Sequence, residues 1–142
     1  MTPSAKFQSN SRTLLVLLLV LLGLGGIGGG VGIFIDTSGV FMGLPPELLN
    51  GFPISNFLLP GVFLVTVMGV IPIVIAWGLR NQATWAWLAA VVQSIVIILW
   101  ICFQIYLWKN PIAIQWVYLI WGLAMLGLCF RPGLKSDMRR IT

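Results

Sequence analysis

Three glutamines lie within the long apolar runs of this sequence: Gln93, Gln104 and Gln115. Gln93 and Gln104 are separated by about three helical turns, so on a helix they share one face, with Trp100 between them. Gln115 falls at a depth close to that of Gln104, and we expect an interhelical hydrogen bond between these two amides, typically worth about 0.6 kcal/mol. The alternative, which the sequence leaves open, is a polar contact from this stripe to a lipid headgroup or a quinone carbonyl.

The groups needed for acid–base, metal or haem chemistry are scarce in this chain. It has no histidine, which removes the commonest metal ligand, a usual haem ligand and the usual general base near neutral pH. Its acidic residues are Asp36, Glu47 and Asp137, and none lies within an apolar run. The segment from Asp36 to Gly39 matches the aspartic-protease motif only by chance, because that chemistry needs a second carboxylate at the same site. We therefore predict no catalytic residue, no metal site and no cofactor.

The two cysteines do not indicate redox chemistry. Cys102 lies near one end of its apolar run and Cys129 near the opposite end of the next, which separates them by roughly 20 Å in depth. A disulfide needs α-carbons within about 7 Å of one another. We expect both to be small, buried, apolar side chains.

Four long apolar runs must position these residues. They cover residues 13–35, 57–79, 84–107 and 111–130. Each is long enough, at about 1.5 Å per residue, to cross a hydrocarbon core of about 30 Å. Because the backbone cannot bond to water in that core, each run is predicted to be a helix. We expect an all-α fold, a bundle of four transmembrane helices that forms one integral membrane domain over residues 1–142.

The basic residues are distributed asymmetrically about the predicted membrane. Of the 8 lysines and arginines, all but Lys109 fall on one side. Those on the shared side are Lys6, Arg12, Arg80, Arg131, Lys135, Arg139 and Arg140. The positive-inside rule makes that side cytoplasmic, which predicts a multi-pass protein of the cell (inner) membrane with both termini in the cytoplasm. The basic tail is expected to contact anionic lipid headgroups and not nucleic acid.

The first helix is rich in glycine in its second half. Small residues in membrane helices allow the close packing on which helix association depends there. Six glycines form pairs spaced by four residues, each pair on one face: Gly25 with Gly29, Gly26 with Gly30, and Gly28 with Gly32. We predict that they pack against another helix, either of this chain or of another subunit.

The loop after the first helix is too apolar to lie free in water. Residues Pro46–Asn50 are predicted to form one short helical turn, with proline at its start, Glu47 near its positive end and Gly51 as its stop. This short helix is expected to lie in the membrane interface with its apolar side chains inward. Those side chains are Leu44, Leu48, Leu49 and Phe52. Asp36 is expected to cap backbone N–H groups just beyond the first helix.

The order of these features resembles an uncharacterised family of small bacterial four-helix integral membrane proteins. The residues that carry the resemblance are the glycine-rich end of the first helix, I-D-T-S-G-V-F-M-G-L-P-P at 35–46, F-L-L-P-G at 57–61 and W-A-W at 85–87. The resemblance covers roughly residues 14–130. It implies the four-helix fold and brings no established activity and no functional residues.

Two functional classes fit this sequence best. The first is a non-catalytic accessory or stabilising subunit of a larger membrane complex, with membrane lipids and other membrane subunits as its partners. The second is a lipid- or isoprenoid-quinone-binding protein, in which a crevice is lined by Gln93, Trp100 and Gln104 and by the helix bend expected at Pro72. A transporter or an enzyme is the weakest hypothesis, because a pore needs a polar stripe along its whole length.

Overall fold

The computed structural model describes residues 3–44, 46–50, 53–109, 113–131 and 133–134. Side chains are described from residue 10 onward, without those of Leu48, Leu107 and Trp108. The protein is helical, at 79% of residues, and the described part contains no strand, so the predicted all-α class is confirmed. Within the described residues the four long helices are α1 (Pro3–Ile35), α2 (Leu58–Arg80), α3 (Ala86–Trp108) and α4 (Ala113–Cys129).

Three of these helices are long and apolar enough to span a membrane: Asn10–Ile35, Leu58–Arg80 and Ala86–Tyr106. α4 is apolar and shorter, with 17 residues, or about 25 Å of helix. The described helices agree with the predicted runs except at the ends, where α1 begins at Pro3 instead of residue 13. Backbone hydrogen bonds continue the helix through polar residues that apolarity alone does not predict.

α2 contains a wider helical turn in its middle. It consists of the α-helical segment Leu58–Val65, the π-helical turn Thr66–Val70 and the α-helical segment Ile71–Arg80. The Ile71 N–H donates to the Thr66 carbonyl, and the Thr66 hydroxyl donates to the Val62 carbonyl at 2.7 Å. Proline at position 72 cannot donate a backbone hydrogen bond, so the α-helical ladder is interrupted in this region.

The chain divides into two compact units, a central unit of residues 21–71 and a flanking unit of the residues before and after it. The prediction of one domain over residues 1–142 stays a prediction. The central unit holds the second half of α1, the loop and the first part of α2. In the flanking unit, α3 and α4 pack closely at Gly122, where a Cβ atom would come within 2.7 Å of Ile97 Cγ2 and 2.9 Å of Ile98 Cγ1.

The loop between α1 and α2 contains a 3-10 helical turn at Pro46–Leu49, where a helical turn is predicted. Glu47 and Asn50 are exposed and Leu44 and Leu49 are half-buried. Gly51, Phe52 and the Leu48 side chain lie outside the described residues. The placement of this turn in the membrane interface stays a prediction.

Candidate functional site

Gly26 and Gly30 of α1 lie against the backbone of α2 in the central unit. A Cβ atom at position 26 would overlap the carbonyl group of Met68 and lie 2.8 Å from the Gly69 nitrogen. A Cβ atom at position 30 would lie 2.9 Å from the Gly61 carbonyl oxygen and would also overlap the Val65 side chain. This face of α1 therefore tolerates no side chain, because the two helix backbones approach too closely.

The glycines of α2 receive side chains of α1 in return. A Cβ atom at Gly69 would lie 2.7 Å from Ile27 Cγ1, and one at Gly61 would lie 2.8 Å from Ile33 Cγ2. Each helix thus offers glycines where the other presents backbone or an isoleucine. This reciprocal packing defines the contact between α1 and α2 within residues 21–71.

The other predicted glycines lie elsewhere around α1. Gly25 and Gly28 are exposed, and no atom lies within 4 Å of a Cβ atom built on Gly28. Gly29 has only Leu64 Cδ1 nearby, at 3.8 Å. Gly32 is covered by the Met42 side chain.

Gly25 and Gly28 lie among exposed apolar side chains that recur along α1. We call this surface the open face of α1; it consists of Leu21, Leu24, Gly25, Gly28 and Val31. The sequence shows three glycine pairs of equal spacing and cannot distinguish the pair that packs internally from the glycines that remain open. That distinction depends on where α2 lies.

Two glutamines of the predicted stripe meet between α3 and α4. Gln115 Nε2 donates a hydrogen bond to Gln104 Oε1 at 3.4 Å, which is the interhelical pair expected from their depths. Gln115 and Gln93 are buried, with 2% and 3% of their surface exposed. The Trp100 ring lies beside Phe103, with 6.4 Å between the ring centroids.

Each polar member of this stripe has an interaction within the protein. Across the described residues, every buried side-chain nitrogen or oxygen has a hydrogen-bond partner. Gln104 and Gln115 therefore join α3 to α4 through a hydrogen bond between their side-chain amides.

Two indole groups donate to backbone carbonyls of other helices in the flanking unit. Trp87 Nε1 donates to the Cys129 carbonyl at 2.7 Å, and Trp121 Nε1 donates to the Leu18 carbonyl at 3.3 Å. The Trp87 ring also meets Phe130 edge to face, at 6.1 Å between centroids. No feature of the sequence indicates this link between Trp87 and the end of α4.

The cysteines are both free, and they differ in surroundings. Cys129 is buried, as predicted, whereas Cys102 is exposed on α3, so the prediction of a buried side chain is wrong for Cys102. A cysteine side chain is small and apolar, so it suits an exposed position on an apolar helix as well as a buried position. In the part of the chain that the structure describes, no three His, Cys, Asp or Glu side chains come together as a metal site would require.

Asp36 organises the loop that follows α1. Its Oδ1 accepts hydrogen bonds from the Ser38 hydroxyl at 2.6 Å and the Ser38 N–H at 3.0 Å, and its Oδ2 accepts from the Phe41 N–H at 3.0 Å. These hydrogen bonds hold the pKa of the Asp36 carboxyl group below its usual value; the Ser38 hydroxyl contributes most and the Phe41 N–H comes second. Asp36 therefore fixes the turn beyond α1, in the role expected of it.

No protein-family model, curated protein or solved structure matches this chain. The fold and the helix contacts define its class as an all-helical protein with three helices suited to span a membrane. The resemblance to a four-helix bacterial family stays a prediction.

Proposed function

We propose that the protein is a non-catalytic accessory or stabilising subunit of a larger membrane complex, which it joins through the open face of α1. The observation that carries this proposal is the open position of Gly28. A Cβ atom built on this glycine would have no neighbouring atom within 4 Å. The same helix presents glycines to α2 on another face, so α1 has small residues toward two sides.

Glycine at an exposed helical position needs a physical reason. In a helix interior it costs about 1 kcal/mol relative to alanine in water, and lipid chains can cover a larger apolar side chain equally well. A second helix that approaches the backbone closely does require glycine, as Gly26 illustrates inside this chain. Gly25 and Gly28 suit such a helix, supplied by another polypeptide.

The proposed setting is the cell (inner) membrane, with α4 as a fourth crossing and both termini in the cytoplasm. At 17 residues, α4 has the shortest length that commonly spans a bilayer, about 17–25 residues. The positive-inside rule supports the orientation through Arg12, Arg80 and Arg131 on one side and Lys109 alone on the other. Reporter fusions at both termini test it, and opposite locations for the two reporters would exclude it.

The experiment that tests the function is native mass spectrometry of the protein, gently extracted from its own membranes. It compares the wild type with Gly28→Leu and with Gly127→Leu. Gly127 is a matched control because it is also exposed on an apolar helix, and a Cβ atom built there would have no neighbouring atom within 4 Å. We expect the wild type and Gly127→Leu to carry a larger subunit in fixed stoichiometry, and Gly28→Leu to lose it.

Other outcomes would contradict the proposal. A wild-type protein that is a monomer without a stoichiometric subunit would exclude an accessory role. A lone chain or homo-oligomer with a defined lipid or quinone mass would support the binding function instead. Equal retention of the partner by both variants would place the contact away from the open face.

A further inference from the structure

Three consecutive apolar side chains are exposed in the loop between α1 and α2. Val40, Phe41 and Met42 expose 70%, 66% and 42% of their surface. We call these residues the loop tip. No charged residue lies between Thr37 and Leu44, and the nearest charged side chain in the sequence is Asp36. Contiguous exposed apolar surface of this kind marks a contact with another molecule or with a membrane.

The loop tip is held in a fixed turn. Asp36 Oδ2 accepts the Phe41 N–H at 3.0 Å, and the Leu44 N–H donates to the Gly39 carbonyl at 2.9 Å. Gly39 and Gly43 flank the tip with φ values of +82° and +68°, which other residues rarely adopt. Gly39 is also packed against the Phe57 ring. The tip therefore presents its side chains from a defined backbone and cannot readily turn them inward.

The depth of the loop tip is set by its contact with α1. The Met42 side chain covers Gly32, whose Cβ position would lie 3.3 Å from Met42 Cε. Gly32 precedes the end of the span at Ile35 by three residues, or about 4.5 Å of helix. The loop thus folds back beside the last turn of the spanning helix instead of extending beyond it. At that level a bilayer offers the boundary between headgroups and acyl chains.

We propose that Val40, Phe41 and Met42 insert into the adjacent membrane leaflet, with lipid at the boundary of headgroups and acyl chains as their partner. The contact with Gly32 favours lipid over a soluble protein, because it keeps the tip alongside an apolar span. This inference depends on α1 crossing the membrane and not on the accessory-subunit function.

The test places an environment-sensitive NBD fluorophore on the loop tip of the full-length protein. Phe41→Cys is labelled in a Cys102→Ser background and reconstituted into vesicles of phosphatidylcholine and phosphatidylglycerol, without other proteins. Glu47→Cys in the same background is the matched control, because Glu47 is exposed in the same loop. We expect the label at position 41 to be quenched by doxyl groups on lipid chains. We also expect aqueous dithionite to reduce it at least tenfold more slowly than the label at position 47.

A second pair of variants tests the mechanism that sets the depth. Gly32→Leu is expected to displace Met42 and to increase the dithionite reduction rate at position 41. Gly28→Leu, one turn away on the open face, is expected to leave that rate unchanged. Equal reduction rates at positions 41 and 47 in lipid vesicles would overturn the proposal. Protection that occurs only in native membranes would overturn it too, because it would identify a protein as the partner.

Discussion

Gly26 of α1 lies directly against the carbonyl group of Met68, within the π-helical turn of α2. Gly69, the next residue of α2, receives Ile27 of α1 in return. This close approach of the two helix backbones thus coincides with the turn at which the α-helical ladder of α2 widens. A side chain at position 26 would have to displace backbone atoms, which are far less adaptable than the end of a flexible side chain.

Gly26→Ala should therefore destabilise the protein, whereas Gly28→Ala should not. Overpacking of a tight contact typically costs about 1–3 kcal/mol, and we expect a loss in this range for Gly26→Ala. Gly28→Ala meets open space and should be neutral or stabilising by up to about 1 kcal/mol, since alanine favours the helix. Unfolding by denaturant in lipid–detergent bicelles, followed by circular dichroism, measures both free energies. Equal stability of the two variants would contradict the described packing.

Gln104 and Gln115 should show a small favourable coupling energy. The hydrogen bond between their side chains is 3.4 Å long and joins α3 to α4. Interhelical hydrogen bonds in membrane proteins average about 0.6 kcal/mol in double-mutant cycles, and we expect a value of that size. Unfolding free energies of Gln104→Leu, Gln115→Leu and the double variant give the coupling. If the two single effects simply add, the amides do not interact in the folded protein.

Protonation of Asp36 should loosen the loop after α1. The pKa of this group is lower in the folded protein than its ordinary value of 3.8, so its contribution to loop stability is present above pH 3.8. That contribution is lost as the pH falls through the lower, folded pKa. We expect the protection factors of the Ser38 and Phe41 amides against hydrogen exchange to fall in this acid range. Asp36→Asn is the control, because it removes the titration, and the protection factors in that variant should be lower and independent of acid pH.

Trp87→Phe should weaken the link between α3 and the end of α4. The substitution removes the indole N–H that donates to the Cys129 carbonyl at 2.7 Å and leaves an aromatic ring near Phe130. A hydrogen bond of this kind contributes about 0.5–1.5 kcal/mol, and we expect a loss of unfolding free energy within that range. Trp77→Phe, at an exposed position on α2, provides the comparison. A larger loss for Trp77→Phe than for Trp87→Phe would show that the hydrogen bond contributes little.

The helices could be predicted from the sequence because the thickness of a bilayer sets the length of apolar sequence that a spanning helix needs. The pairing of Gln104 with Gln115 was also predictable, since both amides lie near the same depth on adjacent helices. The sequence could not predict which glycines of α1 pack against α2 and which stay exposed. The three glycine pairs have the same spacing, and only the position of α2 distinguishes the packed Gly26 from the exposed Gly28. Likewise, local residue preferences give no indication that Met42 returns to Gly32, since that contact is made across the loop.

The reciprocal packing of glycine and isoleucine between α1 and α2 has a consequence for biosynthesis. Every contact in it, from Gly26 and Ile27 to Gly61 and Gly69, lies within residues 21–71. Both matching surfaces are therefore complete before the ribosome has translated α3. The helical hairpin can form during co-translational insertion, without waiting for the second half of the polypeptide to leave the translocon.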